Sequence, residues 1–415
     1  MPTLAPSLKA RGTEKNTFAG KWAGRRICFV SNCPRMGGAE RVLLETIDVL
    51  QGRGIECNVL IPAEGQFAQE LSRRGIVHKV VRSTSLTMRE KPSLWERWKA
   101  AIRFILAIIS ATKQIAIWKC DIVFSNTVNV GHGAIASRIL AKPHVWHLHE
   151  FGREDHDFQF YFGERLSCKI IGSLSSVCIV VSKALAVKYA EYISPTKLAV
   201  VYPSMHLELE HLPMSADSSK AATALRHSAF RCIIVGGVFE GKRQEDAVRA
   251  FGLLKKQDVN AELIIVGGSE NLGYRAKLDR MICELGLQGS VTFTGEVRDA
   301  RSQIETSDVL IVCSRSEAFG RVTIEAMLAG KPVIGASGGA TPELVQDGFN
   351  GLIYEVANSD ALADKIFHLY QHPDMARRLG DNGKRWASTL FNKRRYSEEL
   401  NSTLDRIAET TNKNL

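Results

Sequence analysis

Long apolar runs are missing from this 415-residue sequence. A membrane-spanning helix needs roughly 18 to 20 consecutive apolar residues, whereas the longest candidate, residues 100–111, is shorter and contains Arg103. An integral membrane protein is therefore not expected. Residues 1–24 are polar and lack the apolar core of a secretory signal, so they read as a disordered tail. Paired cysteines are missing too. The nine cysteines are an odd, scattered set with no Cys-x-x-Cys and no His or Cys cluster at zinc spacing. This argues against a disulfide framework and for a reduced, cytosolic compartment. Cys28, Cys178, Cys232 and Cys313 stand inside apolar runs and read as small buried hydrophobes. What is present is 45% hydrophobic and 24% charged residues, ample for folding and long enough for two domains.

The formal charge of +10 is unevenly placed. Residues 1–210 carry 28 basic and 18 acidic side chains, and the remainder balances. The excess is densest over residues 72–119, where Trp95, Trp98, Phe104 and Trp118 lie among cations such as Arg97, Lys99 and Arg103. Such a segment is either an interfacial helix on an anionic membrane surface or a solvated helix face backed by core aromatics. The distribution of its apolar side chains decides between them. Nucleic acid is not expected as a partner, because the aromatics are mostly Trp within apolar runs and do not read as exposed stacking residues.

Short apolar runs alternate with helical patterns, which implies parallel sheets covered by helices. Strands are expected at residues 26–31, 56–61, 78–81, 121–125, 143–147 and 176–181, with a helix over 39–51. The pattern dissolves into acidic, Ser- and Ala-rich sequence at 204–228, read as a linker, and restarts with strands at 231–235, 262–266, 290–293, 309–312 and 332–335. The division is thus a tail at 1–24, a domain at 25–203, the linker, a second domain at 229–385, and a C-terminal segment at 386–415. Two doubly wound α/β domains would bind ligands at the carboxyl ends of their strands, in the cleft between them.

Residues 308–350, DVLIVCSRSEAFGRVTIEAMLAGKPVIGASGGATPELVQDGFN, carry the most chemistry. A buried strand ends at Cys313, a polar loop holds Glu317, and a helix starts near Gly320 and carries Glu325. Free backbone N–H groups of Gly320, Arg321 and Val322, next to Phe319, would form an anion site suited to a diphosphate. Glu317 and Glu325 could accept hydroxyls on either side of it. Residues 235–251, VGGVFEGKRQEDAVRAF, place Lys242 just before another helix, so an ammonium and a helix dipole point to the same place. Gly37 and Gly38 form a turn that permits close backbone approach to a phosphate or sugar. His147-Leu148-His149-Glu150 closes a strand of the first domain.

Together these segments resemble the retaining family 4 glycosyltransferases, which have the GT-B fold of two Rossmann-like domains facing across a cleft. The two glutamates with seven residues between them, followed by GKPV at 330–333 and GGATPE at 338–343, carry the likeness, which extends over residues 26–391. It implies that Glu317 contacts the donor sugar, Glu325 the ribose, and His149 a hydroxyl near the reacting sugar. His147 orients the turn, and Glu150 is open between the two roles. Val297, in the Gly295-Glu296-Val297-Arg298 loop, would contact a pyrimidine or purine base. Many members have Arg after the strand's glycine, paired with the lysine, where this chain has Val238; either Arg243 supplies that second cation or Lys242 acts alone. The C-terminal segment would form a helix crossing back to the first domain.

The resemblance implies transfer of a hexose-type sugar from a UDP- or GDP-linked donor to a glycan or lipid-linked acceptor, with retention of configuration. The setting would be cytoplasmic, peripheral on a membrane, in polysaccharide or lipopolysaccharide assembly. Cations take the place of a metal, and no cofactor is expected. Asp155-His156-Asp157 looks like the DxD metal triplet of another glycosyltransferase fold but lies in the wrong domain. A GT-B epimerase, a pyridoxal-phosphate phosphorylase and a catalytically silent scaffold are the rivals. Lys242, Glu317 and Glu325 standing together argue against the scaffold.

Overall fold

The computed structural model describes residues 22–88, 93–206, 229–269, 271–297 and 299–412. Of the tail and linker expected from the sequence, residues 1–21 and 207–228 lie outside them. The tail boundary at 24 is corrected, because Trp22 Nε1 donates to Asp405 at 2.9 Å and the Gly24 amide to the Gly54 carbonyl at 2.9 Å, which ties residues 22–24 to the first domain. In the first domain, β1 (Arg26–Val30), α1 (Gly38–Gln51), β2 (Glu56–Ile61), α2 (Gln66–Arg73) and β3 (Val77–Val80) lead to β4 (Thr87–Met88) and the long α3 (Leu94–Ile117). Then follow β5 (Ile122–Asn126), α4 (His132–Ile139), β6 (His144–Leu148), α5 (Arg153–His156), β7 (Gln159–Phe160), α6 (Glu164–Leu174), β8 (Val177–Val180), α7 (Lys183–Ala190) and β9 (Leu198–Val200). Seven strands form a parallel sheet in the order β3-β2-β1-β5-β6-β8-β9, while β4 and β7 make a small antiparallel pair.

The second domain comprises β10 (Phe230–Val235), α8 (Gln244–Lys256), β11 (Ala261–Val266), α9 (Leu272–Glu284), β12 (Val291–Gly295), α10 (Arg301–Glu305), β13 (Val309–Val312), α11 (Arg321–Leu328), β14 (Val333–Ala336), α12 (Thr341–Leu344), β15 (Gly351–Tyr354), α13 (Ser359–Gln371) and α14 (Pro373–Leu390). Its parallel sheet runs β12-β11-β10-β13-β14-β15. Both sheets reverse order beside their first strand, which opens a crevice at the carboxyl ends. The central strands are continuous apolar runs, VCIV in β8 and VLIV in β13, because helices cover both faces. The expected strands are present with ends shifted by a residue or two. The three-residue β9 and the GLIY strand β15 were not foreseen.

Helix α14 packs on the second domain, where the absence of a Cβ at Gly380 lets it meet the backbone of Gly330. Gly330 has φ +73° and ends α11, so the GKPV segment is a helix stop that turns the chain into β14. The helical path breaks at Phe391 and Asn392, after which α15 (Lys393–Asn412) lies on the first domain. Tyr396, Leu400, Leu404 and Ile407 recur on one helix face and join the core of Phe29, Ile47 and Val201. The Tyr396 hydroxyl is 2.6 Å from that of Thr46.

One expectation is corrected by α3. This helix has 24 residues and is long and apolar enough, by length and composition, to cross a bilayer. The sequence reading stopped at residues 100–111, yet a Ser93–Glu96 capping box starts the helix earlier and Arg103 interrupts the apolar composition only locally. The sheet nevertheless forbids a crossing. β1 and β2 precede α3 and β5 follows it, and β1 pairs with both β2 and β5, so both ends of the helix lie on the same side.

Candidate active site

A cavity of about 410 Å³ opens between the carboxyl ends of the two sheets. Asn32 and Cys33 after β1, Gly38 to Glu40 at the start of α1, Thr127 and Asn129 after β5, and His149 and Glu150 after β6 form one wall. Lys242 and residues 317–321 form the other.

Lys242 ends a tight 3-10 turn, Glu240–Lys242, that precedes α8. Its Nζ lies 2.5 Å from Glu317 Oε1, the same oxygen that accepts from Ser314 Oγ at 2.5 Å. Burial pushes the Glu317 carboxyl up, but the Lys242 charge and the hydrogen bonds from Lys242 and Ser314 outweigh it and hold it below its ordinary value. The carboxylate is thus ionised and aimed. The GGATPE segment supports the loop behind it. Gly339 has φ +59°, and a Cβ there would lie 2.5 Å from the Glu317 backbone nitrogen. The Ala340 amide donates to the Glu317 carbonyl at 2.7 Å.

Gly320, with φ +93°, turns the chain into α11, so the first-turn N–H groups of that helix start in the cavity wall. Arg321 crosses to the first domain, where its guanidinium contacts both Glu45 oxygens at 3.2 Å. Its Cδ passes 3.8 Å from where a Cβ on Gly38 would stand, an ordinary contact distance, so the arginine does not require glycine there. Phe319 packs against Tyr202 and Phe391 and shapes the cavity floor.

His149 Nε2 lies 2.9 Å from Asn126 Oδ1, while Asn126 Nδ2 donates to the Ala39 carbonyl. That orientation assigns the proton to Nε2 and leaves Nδ1 as an acceptor. Burial, followed by His147 and the charge of Arg321, holds the His149 imidazole well below its ordinary pKa, so it is neutral. Glu150 accepts from the Val128 and His149 amides, which gives it a role in shaping the turn. Burial raises its carboxyl to about 8, and burial likewise raises Glu40 to about 7.

This has a consequence for stability. A carboxyl whose pKa is raised on folding contributes fully below its unfolded value and loses that contribution as pH rises through the folded value. Unfolding midpoints should therefore fall as pH climbs from the ordinary carboxylate range toward about 8. Glu150→Gln should flatten that slope. An unchanged slope in the variant would remove Glu150 as its source.

Other sequence candidates are placed elsewhere. Arg243, at φ 52°, caps α8 and turns away to Asp246, at 2.7 and 2.9 Å, so it is not in the cavity wall. Val238 is buried in the core of the second domain. The second cation in the wall is Arg321. Gly37 caps α1 beside the cavity, and Glu325 lies four residues into α11, outside the cavity lining. Val297 and Val322 are half-buried against the core. Within 155–157, Asp155 and His156 do line the cavity, but Asp155 is engaged in capping the turn through the Phe151 and Gly152 amides, and Asp157 pairs with Arg315 at 2.9 Å. No grouping of three or more His, Cys, Asp or Glu arranged for a metal ion occurs among the described residues.

The sequence reading missed Asn32, Cys33, Glu40, Thr127, Asn129 and His156. Asn32 and Thr127 carried a usable signal, since each stands just past the carboxyl end of a parallel strand. Two further contacts join the domains. Glu343 accepts from the Lys183 and Ala184 amides at 3.0 and 2.6 Å and from the Tyr202 hydroxyl. Gly241 lets its turn press directly on the Asp155 backbone.

Two parallel-sheet domains closing over a cavity at their strand ends define the GT-B architecture. Residues 36–209 match the family model described as Glycosyltransferase Family 4, and residues 215–386 match that of Glycosyl transferases group 1. The chain belongs to the family 4 glycosyltransferases. It is 26% identical, over 51% of its length and 54% of the relative's, to N-acetyl-alpha-D-glucosaminyl L-malate synthase of Bacillus anthracis. Thus it spans about half of that relative. It is also 26% identical to a GDP-mannose-dependent alpha-(1-6)-phosphatidylinositol monomannoside mannosyltransferase of Mycobacterium tuberculosis, over 88% of this chain and 94% of that one. Among solved structures, Anabaena Alr3699/HepE in complex with UDP is similar at 25% identity and a TM-score of 0.74, covering 92% of this chain and 99% of that one.

Proposed function

We propose that the protein moves a hexose-type sugar from a UDP- or GDP-linked donor to a glycan or lipid-linked acceptor, with retention of anomeric configuration. The observation that carries this reading is the Lys242–Glu317 pair beside the start of α11 on one wall of the cavity. As the bond from the anomeric carbon to the β-phosphate oxygen breaks, negative charge grows on that phosphate. The Lys242 ammonium and the N–H groups at Gly320 to Val322 stabilise it as it develops. Glu317 orients sugar hydroxyls, and the neutral His149 accepts one through Nδ1. The acceptor oxygen attacks on the face the diphosphate leaves, and its proton passes to the leaving phosphate. The wall that includes Phe319 excludes water, which limits donor hydrolysis.

The names of relatives support a nucleotide-sugar donor without choosing its base: one relative is GDP-mannose-dependent and one solved neighbour holds UDP. The placement is cytoplasmic and peripheral on a membrane through the basic first domain, within polysaccharide or lipopolysaccharide assembly. The reaction is proposed to need no metal. Glu325 and Val297 are assigned to the ribose and the base once a nucleotide is bound.

The test is release of nucleoside diphosphate from UDP-glucose and GDP-mannose, with and without a chelator, and proton NMR of the transferred sugar. Turnover of one donor in chelator, with the donor's anomeric configuration kept, is the expected result. Loss of turnover restored by magnesium would overturn metal independence. Inverted product would overturn retention.

A further inference from the structure

We propose that the outward face of α3 is a membrane-insertion surface that seats the first domain on an anionic bilayer. This rests on the peripheral placement proposed above and names the element and face that produce it. The helix is built in reverse of a soluble one. Its buried side chains are Ala107, Ala111 and Ile115, a narrow stripe, and its neighbour is α4. At about 100° per residue, Trp98, Ile102, Ile105 and Ile109 lie on the opposite side. Trp98 is 57% exposed, Ile109 59%, and Leu94 at the helix start 82%. Trp95 and Trp98 stack at 5.1 Å, and Lys99 Nζ sits 4.9 Å above the Trp95 ring. A contiguous apolar face this large needs a partner.

Charge and topology identify that partner as a lipid surface. Glu96 is the one acid in α3, against Arg97, Lys99, Arg103 and Lys113. Cations flanking an apolar face that carries tryptophans suit an anionic headgroup layer with acyl chains beneath. The pattern recurs on α6, which also contacts α4: Leu166 and Ile170 are exposed there, with Arg165 and Lys169 beside them. The sheet pairing keeps both ends of α3 on one side, so the helix lies in the interface instead of crossing it.

The docked face also adjoins the cavity. Residues leading into α3 hold its wall: Ser83 donates to Asn32 at 3.3 Å and Ser85 to Asn129 at 3.1 Å. An acceptor anchored in the leaflet would therefore enter from the α3 side while its lipid stays in the bilayer.

The experiment is co-sedimentation of the full chain with vesicles of phosphatidylethanolamine and phosphatidylglycerol, and of phosphatidylcholine alone. A Trp95→Glu, Ile102→Glu, Leu106→Glu variant is compared with a Lys99→Glu, Arg103→Glu variant. Wild type should bind the anionic vesicles, its tryptophans should be quenched by lipids brominated on their acyl chains, and some binding should survive salt that screens charges beyond about 8 Å. The apolar variant should lose binding by at least about tenfold, and the charge variant should lose it mainly at low salt. Unchanged unfolding temperatures verify the fold of both variants.

Equal binding by wild type and the apolar variant would overturn α3 as the docking element while leaving peripheral placement intact. Absence of wild-type binding would overturn both. A wild-type dimer in light scattering that the apolar variant converts to monomer, without vesicle binding, would assign the face to a second copy and overturn the proposal. Donor turnover is scored separately, so failure of transfer is not confused with failure of docking.

Discussion

Replacing Lys242 with methionine should reduce kcat by about 100- to 1,000-fold, the loss seen when one donor to a developing oxyanion is removed. The chain should still fold. The magnitude follows from placement. Nζ is one of two cations on the second-domain wall; the other, Arg321, is held by Glu45, and Arg243, the neighbouring cation in sequence, is held by Asp246. The variant has a second effect, because Lys242 also helps to keep the buried Glu317 ionised. Without it, burial pushes the Glu317 carboxyl upward, so activity that remains should fall at acid pH from a higher midpoint than in wild type. Glu317→Gln should share the kcat loss and lack that acid limb. Rate profiles of both variants against pH are the check. Wild-type turnover in Lys242→Met would remove the lysine from the chemistry.

Arg321→Met should lower stability by about 3–5 kcal/mol, the usual cost of removing one partner from a buried ion pair. The pair spans the domains: Arg321 belongs to α11 and Glu45 to α1, and the Glu45 side chain has no exposed surface. Adding Glu45→Gln should recover much of the loss, because the buried charge is then gone. Thermal unfolding of the single and double variants decides it. A double variant no more stable than Arg321→Met would show that the cost comes from lost packing around the arginine. The single variant should also bind donor more weakly, since Arg321 lines the cavity.

Most of the fold was legible because parallel strands covered on both faces must be continuous apolar runs, as in VCIV of β8 and VLIV of β13. β9 escaped because three residues carry too little pattern to separate a strand from a buried turn, and β15 because its GLIY run opens on glycine, which reads as a turn signal. The second-domain half of the cavity was legible in its motif, whose parts divide the work. Glu317 is presented to the cavity, the glycines of GGATPE brace its loop, and Glu343 locks the domains. Gly330 of GKPV ends a helix and lies outside the cavity lining.

The first-domain half was less legible. Glu40, Asn32 and Thr127 reach the cavity from separate strand ends, and only folding brings them together. Arg243 was read from its place beside Lys242, but its left-handed backbone sends the side chain to the residue three positions on. The Arg-x-x-Asp spacing had signalled that pair. The exposed face of α3 needed the structure, since composition cannot say which stripe of an apolar helix is buried.

The central claim is a nucleoside diphosphate site built by Lys242, Glu317 and the start of α11. Thermal unfolding with UDP, GDP and ADP in turn tests it most directly. A diphosphate present at 100 times its dissociation constant adds about 2.7 kcal/mol to stability, a clear shift. The expected result is a shift with one nucleotide, unaffected by chelator and lost in Lys242→Met. No shift with any of the three, or the same shift in wild type and Lys242→Met, would contradict it.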